Sequence, residues 1–172
     1  MRMSPALVGL GLVLTLTAQA AAPAVFSPFA GHWTGTLEYK DYGGSGKHIR
    51  IPVTLEVQST TADSAVWDFR YDDFGREVQS LETHTWKAGL YTVTTKGKPD
   101  VQSYTSSDFA ALAAAGAGTA ILNGREQENG QKVEVRRTIR LEAAKLSTLT
   151  ETRLPGKTFA FRNQSVYTRL PQ

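Results

Sequence analysis

"GHWTGTLEYKDYGGSGKHIRIPVTLEV", Gly31 to Val57, is the stretch that decides the fold. In its second half Ile49, Ile51, Val53, Leu55 and Val57 fall on one side of a period-two pattern, with Arg50, Thr54 and Glu56 on the other. The first half sets Trp33, Leu37 and Tyr39 against His32, Thr34 and Glu38. Successive side chains of a strand point to opposite faces, so this alternation describes extended chain with one buried face and one wet face. The glycine-rich segment between the halves is a connection. A phosphate-binding loop needs Gly-x-x-x-x-Gly-Lys followed by Ser or Thr and a helix. Here Asp41 stands where the first Gly should be, His48 follows Lys47, and a strand comes next. The Gly-x-Ser-x-Gly nucleophile turn fails as well, because its final position is Lys47. Two strands joined by a hairpin loop remain. Pro52, on the polar side, predicts a bulge or an edge in the second of them.

The same period continues outward. In "AVWDFRY" Ala65, Trp67, Phe69 and Tyr71 share a face opposite Asp68 and Arg70, and in "KVEVRRTIRL" Val133, Val135, Ile139 and Leu141 share one. Turn chemistry separates such runs at short intervals: "STTADS", "YDDFGRE", "KGKPD", "ENGQK", "EAAK" and "LPGK". Asn129-Gly130 suits a two-residue hairpin and Pro155-Gly156 the centre of a type II turn. The runs amount to about ten strands on hairpin-length connections. Connections this short cannot make parallel crossovers, so the sheet is an antiparallel meander, and closing it removes its exposed edges. The fold class is therefore all-β, a single up-and-down barrel. One segment breaks the pattern. "SSDFAALAAAGAG" offers Ser106 or Ser107 as a cap, Asp108 in the first turn and Gly116 as a stop, which predicts a short helix near residues 107–115. Phe109, Leu112 and Ala113 would share its buried face, and it would either plug one barrel end or form a lid over a pocket.

The chain has 172 residues. Arg2, the apolar run "PALVGLGLVLTLTA" and "AQA" have the form of a signal peptide over residues 1–20, with 21–30 as a lead-in and 31–170 as the barrel domain. The expected location is the periplasm or the cell exterior, with no membrane span after cleavage. Losing Arg2 lowers the formal charge from +3 to +2, and no block of like charges occurs, so nucleic acid is a poor partner. There are no cysteines and hence no disulfides. His32, His48 and His84 lack zinc-type spacing, and Asp72 and Asp73 are turn residues with too few companions for calcium. No metal or cofactor is implied, and no nucleophile–base pair is visible in the sequence.

Gly31-x-Trp33 at the head of a long antiparallel meander resembles the calycin superfamily, which includes lipocalins and fatty-acid-binding proteins. The chain lacks the Thr-Asp-Tyr motif of true lipocalins, so the resemblance is lipocalin-like. It implies that Trp33 closes one end of the barrel and that an Arg of the last strand, Arg169 or as second choice Arg162, lies across its ring. Arg137 falls among the inward apolar residues of its strand, where an unpaired guanidinium is very unfavourable. The resemblance implies that Arg137 holds the acidic group of a ligand while Trp67, Phe69, Tyr71 and Tyr39 wrap its apolar body. Two other fates remain open for Arg137: a bulge at Arg136-Arg137 that turns it outward, or an ion pair with Glu82. The expected function is binding or carriage of a small apolar or amphipathic molecule. The alternatives are an isomerase or hydrolase on the same barrel, needing His84 or His32 to meet Asp, Glu or Ser inside; a packed barrel that binds or inhibits another protein; and an outer-membrane barrel.

Overall fold

The computed structural model describes residues 24–41, 46–128 and 130–171. The expected signal peptide over 1–20, loop positions 42–45 and the Asn129 half of the Asn129-Gly130 turn lie outside the described residues. Ten strands follow in chain order: β1 Gly31–Lys40, β2 His48–Ser59, β3 Ser64–Asp73, β4 Arg76–Lys87, β5 Leu90–Thr95, β6 Val101–Thr105, β7 Gly118–Glu128, β8 Gln131–Glu142, β9 Lys145–Arg153 and β10 Ala160–Arg169. A 3-10 turn, Ser27–Phe29, precedes β1, and the helix α1, Phe109–Ala115, separates β6 from β7. Every strand pairs antiparallel with its neighbours in sequence, and β1 pairs with β10 from Trp33↔Arg169 to Tyr39↔Asn163. The sheet is a closed barrel.

The alternation places the core. Trp33, Val53, Leu55, Trp67, Val135 and Ile139 are buried inside, while Arg50, Arg70 and Arg140 stand exposed outside. Pro52 causes no bulge, because the β1–β2 ladder runs unbroken from Gly31↔Val57 to Lys40↔His48. The β2–β3 ladder ends at Val53↔Tyr71, so Pro52 lies where β2 has β1 as its partner and an open flank on the other side. Its missing N–H is tolerated at such an edge-like position. The register shift falls instead in β10, between Phe161 and Asn163. The weakest seam joins β6 to β7 through two residue pairs, Tyr104↔Gly124 and Thr105↔Asn123. A Cβ on Gly124 would stand 2.6 Å from the Tyr104 ring, so that glycine is what lets the ring cross the seam.

One end of the barrel is sealed. The Trp33 indole N–H donates to the Phe29 carbonyl at 2.9 Å, and the Arg169 guanidinium carbon sits 4.0 Å from the centre of its ring. Arg169 also donates to the carbonyls of Pro28 (2.6 Å), Ala143 (3.2 Å) and Ala30. A cation over an indole contributes about 0.5–2 kcal/mol, and the three carbonyls fix the guanidinium in its plane. Arg169, and not Arg162, takes this place. Gly31, at φ +125°, lies under it, with Arg169 Nη1 3.2 Å from where a Cβ would be.

The helix completes the seal. Ser106, two residues before the N-cap Asp108, accepts through its hydroxyl from the backbone N–H groups of Asp108 (3.2 Å) and Phe109 (3.1 Å). The helix falls within the predicted 107–115, with Asp108 at the cap position in place of Ser106 or Ser107 and not in the first turn. Gly116 ends it at φ 68°, donating to the Leu112 carbonyl. Phe109, Leu112 and Ala113 are buried, and the Phe109 ring lies 4.8 Å from that of Tyr91, 5.0 Å from Trp86 and 5.6 Å from Phe26. This is a plug in the floor, and the lid alternative is set aside.

Candidate functional site

Above the floor the barrel holds a cavity of about 180 Å³. β3 contributes Trp67, Phe69 and Tyr71 to its wall, and β8 contributes Arg137 and Ile139. In ring order β3 and β8 are five strands apart in either direction, so they face each other across the interior. The aromatic side chains form a rail along β3. Ring centres of Trp67 and Phe69 are 6.0 Å apart; those of Phe69 and Tyr71 are 5.9 Å apart with planes 10° from parallel. Tyr39 has the same inward parity on β1 but lies a step further toward the open end and does not line the cavity.

Arg137 points in. The ladders of β8 with β7 and with β9 are continuous through Arg136 and Arg137, so the bulge that would have turned it outward does not exist. Its guanidinium carbon lies 5.1 Å from the centre of the Tyr104 ring. The alternative ion pair with Glu82 is not formed: that carboxylate is bound by His84, and the other nearby carboxylate, Glu126, by Arg162 and Tyr104. Burial works against the Arg137 charge, but Tyr104, Glu82, Tyr91 and Glu126 around it more than offset this and raise its pKa. The result is a charged guanidinium on a cavity wall, held by a ring face and by longer-range attraction, with no carboxylate among the described residues in salt-bridge range.

A second group in the same cavity was only half visible in the sequence. His84, 3% exposed, contacts the Tyr91 hydroxyl through Nδ1 at 2.6 Å and the Glu82 carboxylate through Nε2 at 3.0 Å. Its ring stacks on Trp67, with centres 4.4 Å apart and planes 17° from parallel. Burial lowers the His84 pKa against the opposing pull of Glu82. Burial would raise the Glu82 carboxyl, yet His84 and Arg137 outweigh it and hold that carboxyl below its usual range. These directions assign a neutral imidazole that donates from Nε2 to an ionised Glu82 and accepts from Tyr91 at Nδ1. The other histidines are outside: His32 is 4.0 Å from Glu56 and His48 is 2.7 Å from Glu38, both on the outer face. Among the described residues no group of three or more His, Asp or Glu is placed to hold a metal ion.

Two further features escaped the sequence. Thr148 and Thr150 of β9 and Asn163 and Ser165 of β10 give the cavity a hydrogen-bonding side. Nearer the open end, Tyr104 donates to Glu126 at 2.8 Å and Arg162 to the same carboxylate at 2.7 Å. The β10 register shift at Phe161/Asn163 explains how Arg162 reaches that carboxylate, since a bulge re-aims the side chain it carries. The usable signal was parity. Glu126 follows Leu122 and Gly124 at two-residue steps, and Thr148 and Thr150 follow Leu146, but polar residues at inward positions leave no apolar rhythm to read.

No protein-family model matches the sequence, and no curated protein matches it significantly. Solved structures do match in shape. Rv2717c from M. tuberculosis superposes with a TM-score of 0.59 at 14% identity, over 87% of this chain and 99% of that one. An S-type phycobiliprotein lyase, CPES, from Guillardia theta superposes with a TM-score of 0.54 at 12% identity, over 86% of this chain and 91% of that one. At such identities what is shared is the architecture: this chain has the ten-stranded antiparallel barrel of the calycin-like fold.

Proposed function

We propose that this chain is an exported barrel protein that binds a small amphipathic anion, without covalent chemistry, in its interior. Arg137 takes the acidic group, and Trp67, Phe69 and Tyr71 take the apolar body. One observation carries this: a charged guanidinium on a cavity wall, facing an aromatic rail across the barrel, with no carboxylate in salt-bridge range among the described residues. Arginine suits the task because its planar fork meets a carboxylate through two parallel hydrogen bonds. A cavity speaks against a packed barrel that acts through its loops alone. Outward Arg50, Arg70 and Arg140 speak against a lipid-facing wall, where each cation would cost about 2–4 kcal/mol at mid-depth. The likeness to a phycobiliprotein lyase bears on the fold, and no lyase activity is proposed here.

The test is native mass spectrometry of the protein purified without detergent, before and after organic extraction, followed by titration calorimetry with the extracted molecule. An acidic compound should be released, and Arg137→Gln should weaken its rebinding by roughly 10- to 100-fold, the value of a charge-assisted pair. Equal affinity for the two proteins refutes the anchor. A second reading rests on the Glu82–His84–Tyr91 chain: a carboxylate-oriented imidazole beside a bound anion is also the arrangement of a proton-transfer enzyme. Turnover of the extracted compound, abolished by His84→Gln with binding retained, would select that reading.

A further inference from the structure

The cavity's size and wall chemistry narrow the ligand, and this step rests on the binding role proposed above for Arg137. We infer that the ligand is a compact planar acid of one ring, stacked on the β3 rail. Size comes first. A cavity near 150 Å³ accommodates one benzene, and drug-sized ligands occupy roughly 300 Å³ or more. At about 180 Å³ this interior takes one ring with a short polar substituent and excludes an extended alkyl chain.

Shape follows from the walls. Phe69 and Tyr71 line the cavity within 10° of parallel and present a common ring orientation to a flat guest, while His84 already covers one face of Trp67. β8 lies directly opposite, so a carboxylate held by Arg137 directs the rest of its molecule toward that rail. Polar wall groups beside the rail are already engaged: His84 at both ring nitrogens, and Glu82 by His84 and Ser80.

Titration calorimetry on the extracted, refilled-with-buffer protein separates the outcomes. The probes are benzoate, the three pyridine carboxylates, cyclohexanecarboxylate, benzamide and dodecanoate. The planar acids should bind, with cyclohexanecarboxylate roughly fivefold weaker for lack of a ring face and benzamide weaker still for lack of charge. Dodecanoate should not bind. If dodecanoate binds as well as the planar acids and both are lost in Arg137→Gln, the single-ring claim is overturned and the anchor stands. If no acid binds, or if Arg137→Gln changes nothing, the anchor falls and takes this inference with it.

Discussion

Gly35 measures how closely β1 and β10 are drawn together. A Cβ there would stand 1.9 Å from the Val166 carbonyl oxygen and 2.9 Å from the Tyr167 Cα, both backbone atoms that cannot swing aside. Gly35→Ala must therefore push β10 away along the ladder that closes the barrel. Overpacking of this kind costs about 1–3 kcal/mol, and rigid neighbours put this case at the upper end. Urea denaturation should show a lower midpoint with an unchanged slope; a midpoint within error of the native protein means β1 has room to spare. Gly31 carries a different demand, since its φ of +125° is strained for any residue with a side chain. The Gly-x-Trp pattern thus has a physical cause: the glycine lets the chain turn under Arg169, and the Trp two residues on meets the same cation from inside. Trp33 and Arg169 were legible because a resemblance named both partners. His84 with Glu82 was not, because a contact between residues two apart on one strand depends on what the ring stacks against, here Trp67 on the next strand.

At the scale of elements, α1 bears the floor. Phe109 is wholly buried among Phe26, Phe29, Tyr91 and Trp86, four rings drawn from three separate stretches of chain. Phe109→Ala would remove the centre of that cluster and cost about 3–5 kcal/mol, because Trp86 and Tyr91, fixed in β4 and β5, cannot collapse into the void. Thermal unfolding checks the magnitude, and a loss below about 1 kcal/mol would show that the helix merely covers a floor already closed by Trp33. The strands were readable wherever one face is wholly apolar, as in β2 and β3, and the Pro155-Gly156 turn was readable because Gly156 does adopt φ 75° with Lys157 donating to the Leu154 carbonyl. Asp72 likewise does turn work, accepting from the Gly75 N–H at 2.7 Å. β9 and β10 gave less away. Their inward positions carry Thr148, Thr150, Asn163 and Ser165, and a hydroxyl-lined wall has the same sequence signature as a solvent-facing one. The bulge in β10 hid Arg162 for the same reason: parity counting assumes that no residue is extra.

For the whole molecule, an interior that holds titrating groups makes stability depend on pH. His84 is kept neutral by burial, with Trp67 against its ring, Tyr91 on one nitrogen and Glu82 on the other, and with Arg137 opposing a second positive charge from across the barrel. Its folded pKa lies below the ordinary histidine value of about 6.5. Below that value the unfolded chain takes up a proton that the folded chain refuses, so stability falls as pH falls, by at most about 1.4 kcal/mol per pH unit from this one group. Glu82 adds to the fall lower down, since its carboxyl is also depressed and its contribution fades below the usual carboxylate range. The tyrosines act at the other extreme. Burial pushes Tyr104 and Tyr167 up to about 12, so the unfolded chain loses their protons first and stability declines as pH rises above the ordinary tyrosine value of about 10. Between these limits the curve should be flat. Denaturation midpoints taken from pH 8 down to pH 5, for the native protein and for His84→Gln, isolate the histidine. The native curve should begin to drop near pH 6.5, whereas the variant, less stable at pH 8, should stay level to about pH 5. Parallel curves through that window would mean that His84 carries its proton in the folded barrel, and the neutral tautomer assigned to the Glu82–His84–Tyr91 chain would be wrong.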